Sequence, residues 1–204
     1  MDKYLFTGVE MKIVAITGSI GCGKTTIANI LRKLGFLVYD IDKWTKYIYY
    51  KRDFLDVIKT EFPETFFKNE FDKRKLRNLV FGHPEKLKKL ENIIHPILVN
   101  RFHKIIRRNR ANHYSDIVFV DIALLYEMGW EGYFDIVLLA DVDAETQKNR
   151  VMKRDNVTEE DFNKINNIQI PRKEKIAKAD VVIDTGVNFN ILRKNIVNIV
   201  EDLR

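Results

Sequence analysis

Residues 13–26 read Ile13-Val14-Ala15-Ile16-Thr17-Gly18-Ser19-Ile20-Gly21-Cys22-Gly23-Lys24-Thr25-Thr26, and this stretch decides the fold. Residues 18–25 match the phosphate-binding pattern G-x-x-x-x-G-K-[ST] in full. The apolar run ahead of it has the composition of a buried strand. Behind it, Ile27, Ile30, Leu31 and Leu34 recur at helical spacing. Strand, glycine loop and helix, in that order, turn successive backbone N–H groups toward a polyphosphate at a helix N-terminus. Gly18, Gly21 and Gly23 permit the close backbone approach this requires. Lys24 is expected at the β and γ phosphates and the Thr25 hydroxyl on Mg²⁺. Gly18, Ile20, Gly21, Cys22, Gly23 and Thr26 complete the expected nucleotide-binding set. The stretch predicts binding of a nucleoside triphosphate.

Working outward, short and nearly all-apolar runs recur at Lys12–Thr17, 36–40, Ile117–Asp121, 136–140 and Val181–Asp184. Such runs suit strands covered by helices on both faces. The alternation with amphipathic stretches predicts an α/β fold: a three-layer P-loop NTPase with a five-stranded parallel sheet. Between the second and third strands only helical periodicity appears: Phe54, Val57 and Ile58, then Leu76, Leu79 and Val80, then Leu87, Leu90 and Ile94. That stretch is too long for an ordinary crossover. The chain is therefore read as one domain with its core at 11–50, 116–149 and 179–204. A helical substrate-binding insertion occupies about 51–115 and a lid about 150–178. Residues 145–154 look helical, and Thr158 with Asp161 resembles an imperfect capping box. The last helix, 189–203, offers Ile191, Leu192, Ile196, Ile199, Val200 and Leu203 to the sheet.

Composition narrows the class. Hydrophobic residues make up 46% of 204, enough for a real core. Cys22 is the only cysteine, so no intrachain disulfide forms, which fits a reducing cytosol and an expected cytoplasmic location. No run approaches the roughly 18 apolar residues of a membrane span, and no secretory h-region is visible, so no membrane partner is expected. The net charge of +6 fits an anionic partner, and phosphorylated small molecules suffice without nucleic acid. The basic cluster Arg107-Arg108-Asn109-Arg110 is read as a solvated helix end. Residues 1–10 precede the first strand without an assigned role, and oligomeric state stays open.

Four further groups carry chemistry. Asp40 and Asp42 follow the second strand, where the ligand crevice of a parallel sheet lies. In an extended chain they share one side, and one of them is expected to take the proton of an attacking hydroxyl; capping of a helix that begins near Lys43 is the other reading. Asp121 ends an apolar strand in the Walker-B manner and is expected to orient Mg²⁺ or its waters. Arg150 and Arg154, one helical turn apart, are placed to stabilise charge on a transferred phosphoryl group; surface pairing of Arg154 with Asp155 or Glu159 is the other reading. The histidines lack metal-ligand spacing, and His95-Pro96 is expected at a helix bend.

With these pieces in place the chain resembles the dephospho-CoA kinase family from about Lys12 onward. The likeness rests on an ordered set: 17–25, Asp40-Ile41-Asp42, Leu90-Glu91-Asn92-Ile93-Ile94-His95-Pro96, Leu124-Leu125-Tyr126-Glu127, 147–155, Gln169 and 175–184. The resemblance implies transfer of the ATP γ-phosphoryl group to the ribose 3′-hydroxyl of dephospho-CoA, with Mg²⁺. It implies Asp42 as base, Arg154 as the lid arginine, and Gln169 and the loop after Asp184 near the nucleotide. The chain departs from the family's usual residues at Ser19, Cys22, Ile41, Ala123, Tyr126 and Thr185. The last, often Asn, leaves preference for ATP over GTP open. Two other classes share parts of this pattern. Another small-molecule kinase on the same core is disfavoured by the His95-Pro96 block and the long insertion. A GTP-dependent or RNA-binding module is disfavoured because the sequence has neither an Asn-Lys-x-Asp guanine signature nor an RNP-like aromatic pattern.

Overall fold

The computed structural model describes residues 11–80, 82–112 and 115–204; the reading of residues 1–10 lies outside them. From the N-terminus, β1 (Lys12–Thr17) runs through the glycine loop into α1 (Lys24–Lys33), followed by β2 (Leu37–Asp40). Next come α2 (Ile41–Ile48), α3 (Arg52–Glu61), the short strands β3 (Phe66–Phe67) and β4 (Glu70–Phe71), α4 (Lys73–Val80) and α5 (Pro84–Asn112). The chain continues with β5 (Ile117–Asp121), β6 (Ile136–Asp141), α6 (Ala144–Asp155), α7 (Glu159–Asn166), α8 (Arg172–Lys178), β7 (Val181–Asp184) and α9 (Phe189–Asp202). Two compact units result. One is built from the chain up to Asp40 and after Asn112, the other from Ile41–Asn112. The helical unit thus begins at Ile41, where the sequence reading started it at about 51.

In the first unit the five expected strands form one parallel sheet in the order β2-β5-β1-β6-β7. From central β1 the connections go first to the β2 side and later to the β6 side. That switch point, at the carboxyl end of β1, is where open α/β sheets bind ligands. On one face Val14, Ile16, Phe119, Leu138 and Ala140 pack with Ile27 and Leu31 of α1 and Leu192, Ile196 and Val200 of α9. On the other, Ala15, Val118, Val120 and Leu139 are also buried, so both faces are covered. Full burial of side chains such as Ile27 and Leu31 contributes about 1.5–3 kcal/mol each, which fixes α1 under the loop by packing alone. Ile191, expected in the core, is 52% exposed; the buried stripe of α9 runs through Leu192, Ile196 and Val200, as expected, with Leu203 buried just past its end.

Helix ends follow local chemistry. The Thr158–Asp161 capping box of α7 has both arms formed, so Asp serves at N3 where Glu is usual. Asp143, unforeseen, caps α6 by accepting from the Thr146 N–H at 2.9 Å.

The second unit buries Phe54, Ile58, Leu76, Val80, Leu90 and Ile94 as the periodicity predicts, while Val57 and Leu87 face outward. The β3–β4 hairpin was not predicted. Its two-residue turn, Lys68-Asn69, has both φ angles positive (49° and 68°), the type I′ pattern. Tyr49 stacks on Phe71 with ring centroids 6.1 Å apart and meets Phe54 edge-on at 5.3 Å. Lys73 sits over the Tyr49 ring. Strands of two residues are too short for any periodic signal, and this aromatic cluster holds them instead. His95-Pro96 lies inside α5. Pro96 removes one intrahelical N–H, and the buried stripe Leu90, Ile94, Leu98, Phe102 and Ile106 carries the helix across the gap. Among the described residues no helix is long and apolar enough to cross a membrane.

Candidate active site

The glycine loop is shaped from outside by side chains. A Cβ on Gly18 would lie 2.6 Å from the Ala140 carbonyl oxygen of β6, a distance no side chain tolerates. Gly23 caps α1 in the left-handed region (φ 84°), which favours glycine. The Ile20 carbonyl accepts from Gln147 Nε2 at 2.9 Å, and the Ile20 N–H donates to Gln169 Oε1 at 3.0 Å. The Cys22 N–H donates to the Ser19 carbonyl at 3.1 Å, and the Cys22 carbonyl accepts from Thr185 Oγ1 at 2.8 Å. The C=O and N–H of a trans peptide point opposite ways. Anchoring the Ile20 and Cys22 carbonyls therefore turns the N–H groups of Gly21 and Gly23 away from those anchors, as an anion cradle requires. Thr26 N–H bonds back to Gly23 within the first helical turn, and the Thr25 side chain there is exposed.

Charges gather at the carboxyl edge of the sheet. The Lys24 ammonium pairs with the Asp121 carboxylate, which is 4% exposed. Asp121 stands in register with Asp40 on neighbouring β2, so two carboxylates end adjacent strands about 4.8 Å apart. Asp141 ends β6 in the same manner and holds Arg172 through two bonds of 2.7 and 2.6 Å. This bonding raises the Arg172 pKa further above its ordinary value. Cys22 is 2% exposed; burial, aided by the Asp141 carboxylate, pushes its thiol up to about 11. The thiol is protonated at neutral pH and is no nucleophile.

The segment 150–178 meets this edge at several points. Arg150 donates to Thr185 Oγ1 at 3.0 Å and to the Thr185 carbonyl at 2.9 Å. Glu127 Oε1 accepts from the Ile170 N–H at 3.0 Å and lies 2.9 Å from the Nζ of Lys175, a lysine only 1% exposed. Arg154 differs: its guanidinium grips its neighbour Asp155 at 2.8 and 2.7 Å. The pairing raises the Arg154 pKa and lowers that of Asp155.

The loop residues Gly18, Ile20, Gly21, Cys22, Gly23, Lys24, Thr25 and Thr26 are thus brought together with Asp121, Arg150 and Gln169, and Asp40 adjoins Asp121. Arg154 takes the surface pairing that was its other reading. Asp42 also departs from expectation. α2 begins at Ile41, so Asp42 stands exposed in a helical first turn, and the extended spacing that gave Asp40 and Asp42 one side does not hold. Asp42 belongs to the helical unit. Sequence reasoning missed Gln147, the Asp141–Arg172 pair and the Glu127–Lys175 pair. Asp141 left a signal as another carboxylate ending an apolar strand, and Glu127, Gln147 and Lys175 lie in the blocks that carry the family resemblance, though no role was read for them. Among the described residues no cluster of three or more His, Cys, Asp or Glu side chains is set to hold a metal.

A parallel sheet in this order, with a glycine loop at its switch point and a carboxylate-ended neighbouring strand, defines a P-loop kinase. Shikimate kinase from Acinetobacter baumannii shares this fold at 14% identity and TM-score 0.54, covering 96% of each chain. The family model described as dephospho-CoA kinase matches residues 12–190. Dephospho-CoA kinase of Rhizobium meliloti is 37% identical over 194 residues, 95% of this chain and 99% of that one. Its counterpart from Fusobacterium nucleatum is 36% identical, over 92% and 96%. Among solved structures, dephospho-CoA kinase from Campylobacter jejuni is 25% identical at TM-score 0.62, covering 94% and 97%. The Thermus thermophilus protein TT1252 is 31% identical at 0.82, over 96% and 99%. The chain belongs to the dephospho-CoA kinase family.

Proposed function

We propose that this enzyme transfers the γ-phosphoryl group of ATP to the ribose 3′-hydroxyl of dephospho-CoA, giving CoA and ADP, the last step of coenzyme A biosynthesis. The observation that carries the reading is the family match across residues 12–190, which spans the glycine loop and the helical unit together. The new bond joins the 3′-oxygen to the γ-phosphorus, and the bond from that phosphorus to the β–γ bridging oxygen breaks. Asp42 takes the hydroxyl proton, with Asp40 as the neighbouring carboxylate. The Gly21 and Gly23 N–H groups and Lys24 hold the phosphates, so Lys24 exchanges Asp121 for the nucleotide. Thr25 and Asp121 suit Mg²⁺, the first by its exposed hydroxyl and the second directly or through water. When bound, Mg²⁺ neutralises charge on the β and γ oxygens. Arg150, held beside the loop by Thr185, faces the transferred group, and Arg154 joins it when the part of the segment around 156–168 closes and it leaves Asp155. Gln169 supports the loop at Ile20. The cytoplasm is the expected compartment.

A coupled assay for ADP release, with dephospho-CoA, adenosine and nucleoside monophosphates as competing acceptors, tests the reading. Dephospho-CoA should support turnover and the others should not. A nucleoside or monophosphate preferred over dephospho-CoA would place the chain with another kinase activity.

A further inference from the structure

We infer that Thr185 is a positioning residue that joins Arg150 to the glycine loop and does not read the nucleotide base. The inference deepens the proposed function and rests on its assignment of the loop to nucleotide phosphates. Thr185 follows β7 and is 3% exposed. Its polar atoms are all engaged within the protein. The N–H donates to the Asp141 carbonyl at 2.9 Å, and the carbonyl accepts from Arg150 at 2.9 Å. The hydroxyl donates its one proton to the Cys22 carbonyl at 2.8 Å and accepts from Arg150 at 3.0 Å. A hydroxyl has a single donor. With that donor spent on Cys22 and the side chain buried, Thr185 has no proton to offer an adenine or guanine edge.

The same contacts define a mechanical role. Thr185 packs so tightly on the loop that a Cβ on Gly23 would lie 2.8 Å from its Oγ1. Its hydroxyl holds the peptide whose N–H belongs to Gly23. Its two oxygens fix the planar guanidinium of Arg150, whose fork geometry transmits that orientation to its remaining N–H groups. Loop and arginine are thus set by one side chain, and a change at 185 acts on phosphate binding whatever base the nucleotide carries.

The test titrates fluorescent N-methylanthraniloyl derivatives of ATP and GTP into the wild-type chain and into Thr185→Ser, Thr185→Val, Arg150→Ala and the Val–Ala double variant. Thermal stability is measured for each. Thr185→Val, which removes the hydroxyl at constant shape, should weaken both nucleotides by the same factor, about tenfold. Thr185→Ser should stay within about threefold of wild type, since it keeps the hydroxyl. Arg150→Ala should cost little once Thr185→Val is present, because the two act as a unit. A changed ATP/GTP ratio, additive effects, or Thr185→Val lowering only thermal stability would each overturn the inference. Should Thr185→Val fail to fold, Arg150→Ala carries the test: equal weakening of both nucleotides supports it and unchanged binding refutes it. No acceptor enters these titrations, so failure to phosphorylate dephospho-CoA would overturn the proposed function separately.

Discussion

Lys24 and Asp121 form an ion pair at the carboxyl edge of the sheet, and the proposed chemistry engages both. The pair is partly buried, with Asp121 4% exposed. Lys24→Ala therefore does two things. It removes a cation from the migrating phosphoryl group, which should lower turnover by about 10²-fold or more. It also takes the paired ammonium from a buried carboxylate, so the melting temperature should fall. Lys24→Ala with Asp121→Asn should recover the melting temperature and not the turnover; steady-state kinetics beside thermal melts separate the two. Near wild-type turnover in Lys24→Ala would remove the loop from the mechanism. Asp42→Asn should lower kcat far more than it raises KM for ATP, because Asn keeps the shape and cannot take a proton. Asp40→Asn, assayed in parallel, assigns the base between them. Cys22 gives a pH signature. Its folded pKa of about 11 stands above the ordinary 9.0, so folding favours the protonated thiol. That contribution is present below pH 9 and is lost as pH rises from about 9 through 11. Denaturant melts should show the wild type losing its margin over Cys22→Ser across that window; a constant difference would mean the thiol is not buried as described.

At the level of elements, residues 150–178 divide into parts held unequally. α8 is fixed by buried Lys175 against Glu127 and by Arg172 on Asp141. α7 is held more lightly: by an exposed Lys148–Glu159 pair, a contact of about 0–1 kcal/mol, by a 3.2 Å hydrogen bond from Gln147 Nε2 to Asn166 Oδ1, and by one buried side chain, Phe162. Residues 156–168 should therefore exchange amide hydrogen quickly in the ligand-free protein and slow when ATP and dephospho-CoA are both bound, while α8 stays protected throughout. Uniform protection in both states would make the whole segment scaffold and leave Arg154 as a surface partner of Asp155. Arg154→Ala with unimpaired transfer would say the same. The strands, the α7 cap and the glycine loop were legible in the sequence because each is a local pattern of period, cap or spacing. The bonds that shape the loop were not. Gln147, Gln169 and Thr185 reach it across sequence separations of 127, 149 and 163 residues, which no local pattern records. The β3–β4 hairpin escaped for the opposite reason, being too short to show a period. Asp42 was read as extended, with a helix from near Lys43, because the switch from strand to helix at Ile41 carries no proline or glycine to fix its position.

For the whole molecule, the sheet, loop and family match converge on one statement: a phosphoryl group passes from ATP to a ribose hydroxyl of dephospho-CoA. Fold alone does not choose the acceptor, since shikimate kinase shares this architecture at 14% identity. The acceptor follows from the family, whose model runs through residues 12–190 and so includes the helical unit as well as the core. The residues supporting the loop explain how phosphates are held, and they are indifferent to what receives them. The most direct measurement therefore follows the phosphoryl group itself. ATP labelled in the γ position is incubated with the enzyme and dephospho-CoA, and the labelled product is resolved by mass and by a nuclease specific for 3′-phosphates. The account predicts label in a product with the mass of CoA, released by the 3′-specific enzyme, in amounts equal to the ADP formed. Label recovered only as inorganic phosphate, or in a position the 3′-specific enzyme does not cleave, would contradict it.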